Sequence, residues 1–91
     1  MHFQKITIVG LGYIGLPTAA MLASKNKRVT GVDINKSVID TINKGNIHIV
    51  EPQLASLVSR AVKDNFLIAQ NKIEESDVFL IAVPTPFKNK R

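Results

Sequence analysis

Lys5-Ile6-Thr7-Ile8-Val9-Gly10-Leu11-Gly12-Tyr13-Ile14-Gly15-Leu16-Pro17-Thr18-Ala19-Ala20 reads as a short buried strand, a glycine-rich turn and the opening of a helix. Ile6, Ile8 and Val9 are β-branched and suit a pleated strand. Gly10, Gly12 and Gly15 then fall in the G-x-G-x-x-G spacing. In a dinucleotide site each glycine contributes differently. Gly10 permits the tight turn, Gly12 lets a pyrophosphate approach the backbone, and Gly15 lets the helix lie against the sheet. The free N–H groups around Tyr13 and Ile14 would face the phosphates, assisted by the helix dipole. A second strand, Arg28-Val29-Thr30-Gly31-Val32-Asp33, ends in an acid 18 residues after Gly15. That is close to the spacing of the carboxylate that binds an adenosine ribose. A glycine turn alone could be free of ligand. Strand, turn, helix and acid together favour a nucleotide.

Outward from this stretch, strands and helices alternate. The first helix is expected from about Ile14 to Ser24, with Leu16, Ala19, Ala20 and Ala23 against the sheet and Pro17 in the tolerant first turn. Ser24-Lys25-Asn26-Lys27 is a polar turn. Asn35 is the expected N-cap of a second helix, whose apolar face is Val38, Ile39 and Ile42 and whose stop is Gly45. The segment from Asn46 to Glu51 is apolar for a loop, and is either a short extra strand or a segment packed under the next helix. A third helix is expected from Pro52, with Leu54, Leu57, Val58, Ala61 and Val62 at helical spacing, ending at Asp64-Asn65. Phe66-Leu67-Ile68-Ala69 is a third strand. The polar run from Lys72 to Asp77 is expected to form at most a helical turn. Val78-Phe79-Leu80-Ile81-Ala82-Val83 is a fourth strand, apolar throughout, as suits a parallel strand covered on both faces. Pro84-Thr85-Pro86 ends it.

This alternation predicts an α/β fold: a Rossmann-like parallel sheet of order 3-2-1-4 with flanking helices. Strands one and four are then neighbours where ligands bind, beyond the carboxyl ends of the strands. Thr85 would lie opposite the glycine turn, either bonding the nucleotide or capping its own turn.

At 91 residues the chain is one small domain or part of one. No apolar run approaches the roughly 18 residues of a membrane span. With no cysteine there is no disulfide framework, no cysteine metal site and no thiol nucleophile. The net charge of +5 owes three positive charges to Lys88, Lys90 and Arg91, leaving nine against seven elsewhere. No basic stripe with interleaved aromatics exists, so nucleic acid is not an expected partner. His48 has no companion ligands, so no metal site is expected. Glu51 reads as a helix-start acid rather than a general base. Glu74, Glu75 and Asp77 read as a solvated face.

Four blocks carry a resemblance over essentially the whole chain: Ile8 to Pro17, Gly31-Val32-Asp33-Ile34-Asn35, Val50-Glu51-Pro52-x-Leu54 and Ala82-Val83-Pro84-Thr85-Pro86. The sequence resembles the N-terminus of the UDP-glucose/GDP-mannose dehydrogenase family. The resemblance implies NAD as cofactor and a UDP-sugar substrate whose C6 alcohol becomes an acid with two NAD⁺; the absence of cysteine is compatible with the cytoplasmic location expected. Within the family the likeness is greatest to members acting on UDP-N-acetyl-D-mannosamine; UDP-glucose and UDP-N-acetylglucosamine stay open, as does a non-catalytic nucleotide-binding module. Carried onto this chain, Tyr13 and Ile14 meet the pyrophosphate, Asp33 the adenosine ribose and Thr85 the nicotinamide side. The carboxylate of Asp33 favours NAD over NADP by repelling a 2′-phosphate, and a reach of Lys36 to the cofactor is left open. The family's nucleophilic cysteine, catalytic lysine and sugar domain fall beyond position 91. Residues 1–91 are therefore expected to be the N-terminal part of an NAD-binding domain, truncated after about four strands and without catalytic residues. An exposed fourth-strand edge would then favour self-association.

Overall fold

The computed structural model describes residues 5–82. Its order is β1 (Lys5–Val9), α1 (Gly15–Ser24), β2 (Arg28–Val32), α2 (Lys36–Asn43), α3 (Leu54–Lys63), β3 (Leu67–Gln70) and β4 (Val78–Ile81). The four strands form one parallel sheet in the order β3-β2-β1-β4. This is the Rossmann-like arrangement expected from the alternation of elements. Ile6 aligns with Val29 and Val78, and Ile8 with Gly31 and Leu80.

Side chains alternate across a strand, so Ile6 and Ile8 share one face with Val29, Leu67 and Ala69. That face is the core. It is covered by Leu16, Ala19, Ala20 and Ala23 of α1, Ile42 of α2, and Leu54, Val58 and Ala61 of α3. Alanines at the sheet contact let α1 lie close. Ile8, Leu16, Ile42 and Val58 are fully buried, each worth about 1.5–3 kcal/mol of transfer free energy. Ile49 is also in the core. The 46–51 segment is therefore the packed form of the two readings, with no strand in it.

The three helices end in one way. Asn26, Gly45 and Asn65 follow the last turns at φ of 65°, 82° and 66°. Each donates its N–H to the carbonyl three residues back, on Ala23, Ile42 and Val62 at 2.8–3.1 Å, and the next residue closes the longer ring, as Phe66 does onto Ala61 at 2.9 Å. These are Schellman C-caps. The last explains why β3 begins at Leu67 rather than Phe66, whose N–H is committed to α3. Asn35 caps α2 as expected, accepting from the Ser37 N–H at 3.0 Å. The third helix starts at Leu54, not Pro52: the Leu54 N–H closes a turn onto the Glu51 carbonyl at 3.1 Å, leaving Pro52 and Gln53 outside.

Two other expectations are corrected. The 72–77 stretch makes no helical turn. Its polar groups bond the sheet instead. The Lys5 ammonium meets Glu74 at 2.8 Å, the Lys5 N–H donates to Asp77 at 2.9 Å, and the Thr7 and Ser76 hydroxyls are bonded to each other. Thr7 lies opposite Ile6 and Ile8, so this strap crosses the face away from the helices. Only Glu75 keeps the purely solvated character read for the three acids. Nor is β4 covered on both faces. Phe79, Leu80 and Ile81 are exposed, Ile81 at 72%, because all three helices gather over the other strands. Val83 and the residues after it lie outside the described residues.

Candidate dinucleotide site

The glycine turn stands at the carboxyl ends of β1 and β2. Gly10 has φ of 100°, where a side chain is strained, and its N–H reaches the Val32 carbonyl at 2.7 Å. A Cβ on Gly15 would lie 1.7 Å from the Gly10 carbonyl oxygen, so α1 begins directly against the turn. A Cβ on Gly12 would meet nothing within 4 Å. The turn is thus closed behind Gly10 and Gly15 and open in front of Gly12. Among the described residues, the N–H groups of Gly12, Tyr13 and Ile14 have no acceptor. The first turn of α1 has neither a side-chain cap nor an acid, so the positive end of its dipole is left unneutralised. Tyr13 and Ile14 project into solvent.

Asp33 sits one residue beyond β2. Its Oδ2 accepts the Leu11 N–H at 3.0 Å and its Oδ1 the Asn35 N–H at 2.9 Å. Its own N–H reaches the Gln70 carbonyl at 3.1 Å. The acid read from the sequence is therefore beside the glycine turn, bonded to it, and only partly buried. Gly10, Gly12, Tyr13, Ile14, Gly15 and Asp33 come together at one end of the sheet. Thr85 lies outside the described residues. Lys36 pairs with Asp40 one turn along α2, at 3.2 Å.

Two open spaces are lined by residues outside 10–15. One, of about 300 Å³, lies between Pro17 and the segment from Glu51 to Leu57. Glu51 lines it from outside α3. The other, also about 300 Å³, lies beside the fully exposed Ile34, between α2 and the end of β3. Among the described residues no group of three or more histidines or acids is suited to a metal, and no helix is long and apolar enough to cross a membrane.

Two residues that the motif reading passed over shape the turn. The fully buried Leu11 lies across Gly31 of β2, where an added Cβ would meet the Leu11 methyls at 2.6 and 2.8 Å. In the sequence Leu11 is only the unspecified residue between two glycines, and Gly31 only a weak strand residue. The signal available was a glycine inside a β-branched strand, which marks a close approach.

The residues present fit a dinucleotide: an open glycine, free donors at a helix start, and a carboxylate acceptor alongside. Comparisons with known proteins agree. Residues 4–91 match the model of the UDP-glucose/GDP-mannose dehydrogenase family, NAD binding domain. The UDP-N-acetyl-D-mannosamine dehydrogenase of Escherichia coli K12 is 61% identical over 88 residues, covering 97% of this chain and 21% of that protein. The NDP-N-acetyl-D-galactosaminuronic acid dehydrogenase of Ralstonia nicotianae is 57% identical over 91 residues, 100% of this chain and 22% of its own. The solved UDP-N-acetyl-mannosamine dehydrogenase of Staphylococcus aureus superposes with a TM-score of 0.88 at 49% identity, covering 90% of this chain and 20% of that one. The chain spans about a fifth of the length of these relatives.

Proposed function

Because the chain belongs to the UDP-glucose/GDP-mannose dehydrogenase family, we propose that residues 1–91 form the N-terminal part of the NAD-binding domain of a nucleotide-sugar 6-dehydrogenase. The observation that carries this is the carboxylate of Asp33 beside a glycine turn with free N–H donors. When bound, NAD⁺ supplies a hydride acceptor. The chain's residues bind and orient it. Gly10 and Gly15 seat the helix start, Gly12 leaves room for the pyrophosphate, and the N–H groups of Tyr13 and Ile14 donate to its oxygens. Asp33 accepts from the adenosine ribose, and Thr85 serves the nicotinamide side.

The substrate assigned to the family-length protein is UDP-N-acetyl-D-mannosamine, oxidised to the uronate with two NAD⁺, in the cytoplasm. The Escherichia coli and Staphylococcus aureus relatives support that sugar. The Ralstonia relative, almost as similar, is named for a different sugar. UDP-glucose and UDP-N-acetylglucosamine are therefore run beside it, following NADH absorbance. Oxidation of UDP-glucose but not UDP-N-acetylmannosamine would refute the choice. Residues 1–91 contain no cysteine and are proposed to have no dehydrogenase activity alone; turnover by them would overturn this. Neither nucleic acid nor a membrane is assigned as a partner.

The deciding test is a heteronuclear NMR titration of the 91-residue chain with NAD⁺ and then NADP⁺. Shifts at residues 10–15, Asp33 and Thr85 are expected, stronger with NAD⁺. Equal affinity for both would remove the role given to Asp33, and dispersed peaks without shifts would remove the site.

A further inference from the structure

The carboxylate assigned to the ribose is already occupied on both oxygens before any nucleotide arrives. Oδ2 takes the Leu11 N–H, inside the glycine turn. Oδ1 takes the Asn35 N–H, and Asn35 in turn caps α2 through Ser37. Leu11 is held a second time by its side chain on Gly31, and the turn a third time by the Gly10 N–H on Val32. All three attachments run from the glycine turn to β2 or to the residue just after it. Only the Asp33 attachment uses a charged acceptor, and charge-assisted hydrogen bonds are the stronger kind.

From this geometry we infer that Asp33 is a positioning residue for the phosphate-facing turn as well as a ribose acceptor. Resting on the nucleotide reading above, it presets the donors of Gly12, Tyr13 and Ile14 by fixing the residue that precedes them. A carboxylate oxygen has lone pairs beyond the one each N–H uses, so ribose hydroxyls can add without displacing either bond. The consequence concerns cofactor choice. Replacing Asp33 by a small neutral residue removes the charge that repels a 2′-phosphate. It also releases the turn that must hold the pyrophosphate. Such a variant loses NAD⁺ without gaining NADP⁺.

The test has two arms on the 91-residue chain. In the first, amide hydrogen exchange is measured without nucleotide in wild type, Asp33→Ala and Asp33→Asn. In Asp33→Ala the Leu11 amide is expected to exchange about tenfold faster, while Ile8 and Thr30 in the sheet keep their rates. In Asp33→Asn a single oxygen remains, so one of the Leu11 and Asn35 amides accelerates and the other does not. Unchanged Leu11 exchange in Asp33→Ala would overturn the inference. If that variant does not fold, unchanged exchange at both amides in Asp33→Asn does the same.

The second arm titrates 2′,3′-dideoxy-ADP, which lacks the hydroxyls that a ribose acceptor would contact. A positioning role predicts about fivefold weaker binding to Asp33→Ala than to wild type, the weight of one hydrogen bond. Equal binding, or a gain of NADPH affinity to the wild-type level for NADH, would overturn it. Absence of any nucleotide binding by wild type would count against the cofactor reading, while the exchange arm still decides whether Asp33 holds the turn.

Discussion

The two edges of the sheet are built differently. At β3, Asn43 reaches out from α2 and pairs its side-chain amide with the strand backbone. Its Nδ2 donates to the Ala69 carbonyl at 2.8 Å, and its Oδ1 accepts the Ala69 N–H at 2.9 Å. One primary amide imitates a neighbouring strand and occupies the groups another chain would need. At β4 the described residues offer nothing comparable: no strand lies beyond it, and Phe79, Leu80 and Ile81 are exposed. An open apolar edge invites pairing, and natural sheets normally block one. The contrast sets β3, capped by a side chain at Ala69, against β4, which is uncapped among the described residues.

Breaking the closed edge should have the largest effect. Asn43→Ala strips Ala69 of both partners and is expected to cost about 1–2 kcal/mol in urea denaturation. Next comes the helix that feeds β3. Asn65→Ala forces a β-carbon side chain without Asn's local hydrogen bonding into the left-handed region, at about 1 kcal/mol, read from the same transition. If both variants left stability unchanged, the β3 boundary would not be the ordered one. At the open edge the same measurement should barely move. Ile81→Lys is expected to shift stability by no more than about 0.5 kcal/mol. It should instead reduce the self-association we propose for this edge. Sedimentation velocity at high concentration reads that, and a strictly monomeric wild type would refute the proposal.

The smallest effect belongs to the strap leading into β4. The hydrogen bond from Lys5 lowers the Glu74 pKa below its ordinary value, aided by the charge of Lys5 and opposed by desolvation. A carboxylate depressed in the folded state adds stability above its unfolded pKa and loses it as pH falls through the folded one. The pair is exposed, so the contribution is small. Glu74→Gln should lower stability slightly above the unfolded pKa and flatten the decline on the acid side.

The closed edge also shows what the sequence could and could not reveal. Strand order followed from local signs: β-branched runs, a G-x-G-x-x-G spacing, an acid after the second strand, Asn35 before α2 and Gly45 after it. Each acts on its own neighbourhood and leaves a periodic or positional trace. Asn43 has its partner 26 residues away, and nothing around it marks it as other than a polar helix residue. The exposed flank of β4 was misread for the same reason. An apolar run records that a strand expects cover, not whether helices reach it. The gathering of the glycines and Asp33 at one end of the sheet was legible because their spacing is the one a dinucleotide site requires. The inward bonds of Asp33 were not, because a carboxylate looks the same in sequence whether it faces a ligand or its own backbone.

Leu11 lying on Gly31 has a bearing on how this chain can vary over evolutionary time. A side chain at position 31 would meet the methyls of Leu11, which must shift or shrink to admit it. The two positions are therefore expected to covary across descendants of this sequence.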